Sequence, residues 1–153
     1  MYKKILVPLD GSEFAENALQ HARTIAKGCA VDKVVLLRVV APIIKDVKDM
    51  IEAEHVRKAE RKREADAQEY LNTTAESLKK DGLPVETKLI VNGEPADKIL
   101  AYAREKKVDL IVMSTHGRTG FQKWVFGSVA NNVLVNSSIP VLMVVPAGRR
   151  GMK

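Results

Sequence analysis

Apolar residues in this chain fall into short continuous runs, and these alternate with longer stretches where they recur at every third or fourth position. The first run, KKILVP at residues 3–8, is short and is stopped by Pro8. Asp10, Gly11 and Ser12 follow as a turn, with Ser12 suited to cap a helix. Ala15, Ala18, Leu19, Ala22 and Ala26 then repeat at helical spacing, and Gly28 is placed to end that helix with Cys29 just beyond it. Lys33 to Val40 (KVVLLRVV) is almost unbroken aliphatic sequence, as expected of a strand covered on both faces. A long helical pattern runs from about Val47 to Lys80, and its first half is so polar that it is expected to lie exposed.

Asp81, Gly82, Leu83 and Pro84 close that pattern. In Val85 to Val91 (VETKLIV), Glu86 and Lys88 alternate with apolar neighbours, so one face meets water and the strand belongs at an edge. Pro95 opens a helix with Ala96, Ile99, Leu100 and Ala103 inward. Asp109 to Ser114 (DLIVMS) is a buried strand, a helix from about Ser128 turns Val129, Val133 and Leu134 inward, and Val141 to Val145 is the last strand. Five strands separated by four helices predict an open, doubly wound parallel α/β sheet with Rossmann-like winding. The pattern reads as one domain over residues 1–146, with a basic tail at 147–153.

Composition changes little in this picture. The formal net charge is +6, but Arg149, Arg150 and Lys153 of the tail carry half of it. In the densest charged run, Glu52 to Asp66, five acids and five bases cancel. Clustered bases with interleaved aromatics are missing, so nucleic acid is not an expected partner. No apolar run reaches the ~20 residues that span a bilayer. The N-terminus reaches Pro8 too soon for a signal peptide. The single Cys29 excludes an internal disulfide and suits a cytoplasmic, reducing compartment.

The chemistry gathers at two strand ends. Ligands of open parallel sheets sit beyond the carboxyl ends of strands. Pro8, Leu9 and Asp10 follow the first strand, and Ser114 to Gly120 follow the fourth. In the second loop Gly117 and Gly120 permit close backbone approach, while Thr115, His116, Arg118 and Thr119 supply donors. Gly127 and Ser128 then start a helix whose N–H groups favour an anion. This is either a polyphosphate nest or an ordinary strand-to-helix connection with turn glycines. It is not a Walker A loop, since no Lys precedes Ser128.

MYKKILVPLDGS at the start, MSTHGRTG followed by FGSVANNVL, and IPVLMVVP at the end resemble the universal stress protein family over essentially the whole chain. Its nucleotide-binding branch carries Gly-x-x-Gly, nine residues, then Gly-Ser/Thr. Gly117, residues 118–126 and Gly127-Ser128 match that motif, whereas Ser114 replaces its first glycine. The resemblance implies strand order 3-2-1-4-5. It also implies an ATP site, or one for another adenine nucleotide. Pro8, Leu9, Asp10 and Val39 would form the adenine pocket. Met113, Ser114, Thr115, His116, Gly117, Arg118, Thr119 and Gly120, with Gly127, Ser128, Val129 and Ala130, would contact ribose and phosphates. Mg²⁺ or Mn²⁺ would be bound through the phosphates, with no metal ligand assigned to the protein.

That strand order puts the uncharged last strand at an edge, where pairing with a second copy would cover it. A homodimer through Ile139 to Val145 is expected, together with an unknown protein partner. Phe121, Trp124 and Phe126 form a local aromatic group that packs over the loop or offers a partner surface. Ser114 and His116 sit too close on one loop for a Ser-His-Asp triad, and no dedicated base stands out. No catalytic residue is assigned. The expected role is a cytosolic, dimeric, ATP-binding stress-response or signalling module. The alternatives are a dimeric interaction module without nucleotide, or a slow ATP hydrolase.

Overall fold

The computed structural model describes residues 1–43, 46–116 and 126–146. Its strands are β1 (Lys4–Pro8), β2 (Lys33–Val40), β3 (Val85–Val91), β4 (Leu110–Ser114) and β5 (Val141–Val144). Between them lie α1 (Glu13–Cys29), α2 (Met50–Lys79), α3 (Pro95–Glu105) and α4 (Ser128–Asn136). All strand pairs are parallel, in the order β3-β2-β1-β4-β5. The expected edge position of β3 and the adjacency of β1 and β4 are both present.

The pleat splits each strand between two cores. Ile5, Val7, Val34, Leu36 and Val112 face α1 and α2, where Ala18, Ala22, Leu71 and Leu78 meet them. Leu6, Val35, Leu37 and Ile111 face α3 and α4, against Ile99, Leu100, Ala103 and Val133. The buried stripe of α1 is entirely alanine, which lets the helix lie close on the sheet. Ser12 caps α1 by accepting from Ala15 N–H at 3.2 Å. At the other end of the sheet, Asp109 Oδ2 accepts from the N–H groups of Lys3 (2.9 Å) and Lys4 (2.7 Å), fixing the entry of β1 beside β4.

Three local expectations need correction. Gly28 does not end α1; the helix includes Cys29 and stops at Ala30, in the left-handed region at φ 48°. Ala26 and Cys29 pack on the core, and that packing carries the helix past a residue of low propensity. The long helix begins at Met50, where Asp49 accepts from Glu52 N–H at 2.8 Å, so Val47 lies outside it. Leu134 is not inward but 40% exposed, because Ala130 and Val133 take the buried positions of α4.

Only the second half of α2 is anchored. Ala67, Leu71, Ala75 and Leu78 are buried, while Met50 and Ile51 near its start are 81% and 69% exposed. Residues 50–66 therefore overhang the carboxyl end of the sheet. Leu71→Ala should cost about 2–5 kcal/mol by creating a cavity under α2, whereas Met50→Ala should stay within about 0.5 kcal/mol. Urea unfolding of the two variants checks this; equal costs would contradict the half-anchored helix.

Candidate functional site

The site begins where β1 stops early. Pro8 ends the strand opposite Leu37, and β2 runs on to Val40 with no β1 residue beside it. The last backbone hydrogen bond described between the two is Leu9 N–H to Leu37 O at 2.8 Å. The N–H and C=O of one residue in a parallel strand point the same way, and alternate residues point to opposite neighbours. Val40 O accepts from Asn92 N–H on the β3 side, so Val40 faces β3. Val39 therefore presents one donor and one acceptor to the gap left by β1. Sequence resemblance alone brought Val39 into the site, and this register is the physical reason for it.

Opposite this wall stands the end of β4. Thr115 N–H donates to Val144 O (2.9 Å), and Thr115 O accepts from Gly127 N–H (2.8 Å). The first bond ties the tip of β4 to β5, and the second holds the start of α4 against that tip. The first intrahelical donor of α4 is Asn131, whose N–H reaches Gly127 O at 2.9 Å. The N–H groups of Ser128, Val129 and Ala130 precede it and have no carbonyl in the helix to bond. The capping residue, Gly127, offers no side-chain acceptor, and the first turn carries no acid. This end suits an anionic ligand group.

Between the two walls lies a cavity of about 490 Å³. Pro8, Leu9, Asp10 and Val39 line it from one side, and Met113, Ser114 and His116 from the other. Gly127, Ser128, Val129 and Ala130 close it. Thr115 is not on this surface; it is 1% exposed, and its hydroxyl is spent on His116 Nδ1 at 2.9 Å. That contact fixes the plane of the His116 ring at the cavity wall. Ser114 is also buried, with its hydroxyl 3.4 Å from His116 N–H. Gly117, Arg118, Thr119 and Gly120 lie outside the described residues, as do Phe121, Trp124 and the tail 147–153. Phe126 is 43% exposed.

Asp10 is held by its own turn. One carboxylate oxygen accepts from Ser12 N–H (2.9 Å) and from the Ser12 hydroxyl (2.5 Å). Gly11, at φ 82°, makes the bend, and a Cβ there would stand 3.1 Å from Arg38. The Arg38 guanidinium lies over the Tyr70 ring at 5.3 Å, and Tyr70 OH donates to Glu16 at 3.1 Å. Burial, followed by the negative charge of Glu16, raises the Tyr70 phenol well above its ordinary range. A charged residue of β2 thus stands beside the turn that carries Asp10.

The sequence did not single out Arg38, Arg63 or Asp66, yet all three line the cavity. Arg38 sits within an aliphatic strand, which was its one available signal. Arg63 and Asp66 belong to the charged run of α2, where nothing in the sequence marks two residues among many. Pro95 and Ile99 of α3 add an apolar side. His21 and His55 are exposed and do not line the cavity.

The early end of β1 between the longer β2 and the tip of β4 places the cavity at the switch point of an open parallel sheet, where α/β domains of this type hold their ligands. The chain belongs to the universal stress protein family, whose model matches residues 1–145. Universal stress protein MJ0577 of Methanocaldococcus jannaschii is 34% identical over 156 residues, covering 94% of this chain and 95% of the relative. The solved structure of MJ0577 superposes with a TM-score of 0.82 over 95% of this chain and 97% of that one. A universal stress protein in complex with cAMP has a TM-score of 0.70 at 25% identity, covering 94% and 97% of the two chains. One from Archaeoglobus fulgidus in complex with dAMP has a TM-score of 0.64 at 27% identity, covering 93% and 97%.

The Tyr70 cluster predicts a pH effect. Its folded-state value lies above the unfolded value of 10.0, so its contribution is intact below that pH and is lost as pH rises beyond it. Urea stability of the wild type should fall more steeply between about pH 9 and 11 than that of Tyr70→Phe. Parallel slopes would show that the phenol is not held in this way.

Proposed function

We propose that the chain binds an adenine nucleotide, ATP above all, in the cavity between β1, β2 and β4. The observation that carries this reading is the Val39 N–H and C=O pair, which extends past the last rung between β1 and β2. An N–H beside a C=O complements N1 and the 6-amino group of adenine. Pro8, Leu9, Met113, Pro95 and Ile99 give the base apolar surroundings. The α4 N-terminus suits the phosphates, and a 490 Å³ cavity is of the size that holds such ligands. The cAMP- and dAMP-bound relatives support the same base, while the longer phosphate chain rests on the α4 end and the glycine motif.

Among the described residues no three acids, histidines or cysteines converge as metal ligands. In this reading Mg²⁺ or Mn²⁺ would be carried by phosphate oxygens, with Asp10 the carboxylate nearest in sequence to the site's strand end. In this reading the protein is a cytoplasmic stress-response module, consistent with a free Cys29 and with no described helix long and apolar enough to cross a membrane. Nucleotide occupancy would alter a surface read by a second copy or another protein.

That second copy belongs on β5. Val144 O bonds to Thr115 N–H, and Pro140 O bonds to Ile111 N–H, so even-numbered residues face β4. Val141 and Met143 point their N–H and C=O outward. Leu142 is 36% and Val145 47% exposed, so the edge is apolar as well as unpaired on that side in the monomer.

One reading competes on a specific observation: Ser114 stands where the family's binding motif has glycine. A Ser114 that blocks the site would make the protein an interaction module without nucleotide. Two measurements decide. Mg-ATP at 100 times its Kd should stabilise the chain by about 2.7 kcal/mol, a melting shift of about 5–10 °C for a domain of this size. Val39→Pro, which removes the outward N–H, should abolish the shift. If the wild type shows none and releases no nucleotide on denaturation, but Ser114→Gly does, the interaction module is correct. For the dimer, Met143→Pro removes an outward N–H without touching a β4 bond and should yield monomers in sedimentation; an intact dimer would exclude the β5 interface.

A further inference from the structure

Two opposite charges on α2 line the cavity: Arg63 and Asp66. They stand three residues apart and so share one helix face. The same spacing closes an ion pair between Arg57 and Glu54 at 3.7 Å in this helix. Arg63 and Asp66 make no such pair, and neither has a hydrogen bond or ion pair with any described residue. Arg38, the other cation of the cavity, is already engaged by the Tyr70 ring and the Gly11 turn. Two charged groups thus reach the cavity uncommitted, one a donor and one an acceptor.

The base explains what they are for. The Val39 pair reads only one edge of the base: where adenine has the 6-amino donor and the N1 acceptor, guanine has the O6 acceptor and the N1–H donor, so guanine sets like groups against both. The second edge of the base offers further selection. The edge of adenine away from N1 carries the N7 acceptor and a second amino proton, whereas guanine has acceptors at both places. A donor with an acceptor fits adenine and sets a carboxylate against guanine O6.

We propose that Arg63 and Asp66 read this outer edge, Arg63 donating to N7 and Asp66 accepting from the 6-amino group, so that the site selects adenine over guanine. The proposal rests on the adenine-nucleotide reading above. It makes the overhanging half of α2 a specificity element, although that half contributes little to the core. Arg63 and Asp66 are both exposed. Alanine is the strongest helix former, so replacement at these positions leaves the fold intact.

The test is calorimetric titration of the full chain with ADP, 7-deaza-ADP and GDP, for the wild type, Arg63→Ala and Asp66→Ala. The wild type should bind 7-deaza-ADP about fivefold more weakly than ADP. Arg63→Ala should bind ADP more weakly and show no further loss with the deaza compound. Asp66→Ala should narrow the preference for ADP over GDP by about fivefold. An unchanged deaza penalty in Arg63→Ala, or an unchanged ADP-to-GDP ratio in Asp66→Ala, overturns the proposal while leaving nucleotide binding in place. If the wild type binds no ADP, the nucleotide reading itself fails and this proposal falls with it.

Discussion

Leu9 N–H bonded to Leu37 O is the last rung between β1 and β2, and the rest of the site follows from where that rung falls. A proline ends β1 and an Asp-Gly-Ser turn carries the chain away into α1. The neighbouring strand continues, so its backbone groups emerge into a gap instead of a sheet. In the proposed reading the ligand is met by main chain, whose geometry the β2–β3 ladder holds on the other side. This is the general logic of switch points in parallel sheets, traceable here to named atoms.

The two walls of the gap are braced by different means. On the α4 side, Thr115 spends both backbone groups and its hydroxyl on structure, joining β5, α4 and His116. On the α1 side, the Arg38 guanidinium lies over the Tyr70 ring and stands so close to the bend that a side chain at Gly11 would press on it. A polar chain thus runs from α2 through β2 to the turn holding Asp10.

The fold was legible because its apolar runs are short and cleanly separated, and because Glu86 and Lys88 marked β3 as an edge. Gly28 and Leu134 were misread for one reason: propensity and spacing leave the end and the phase of a helix open, and packing decides both. In α4 the choice lay between neighbouring stripes, and Ala130 with Val133 took the core. Of the residues at the cavity, Asp10, Ser114 and His116 were legible because they sit at strand ends, and Met113 entered only with the family resemblance. Thr115 looked like a ligand donor but turned inward to clamp the loop. Arg63 and Asp66 were invisible in sequence, since a charged run on a helix normally signals a solvated face. Their significance comes from where α2 crosses the sheet, a tertiary fact.

The continuity of α2 has a consequence of its own. Its buried anchor starts at Ala67, one residue after Asp66, with no break between them. The sheet therefore sets the rotational phase of every residue upstream. Inserting one residue at this junction would turn the overhang by about 100° and swing both charges off the cavity without disturbing the core. Substitutions within the overhang keep the phase and change only the chemistry presented. On the proposed role of Arg63 and Asp66, selectivity can thus drift residue by residue at almost no cost in stability, but a change in helix length resets it in one step.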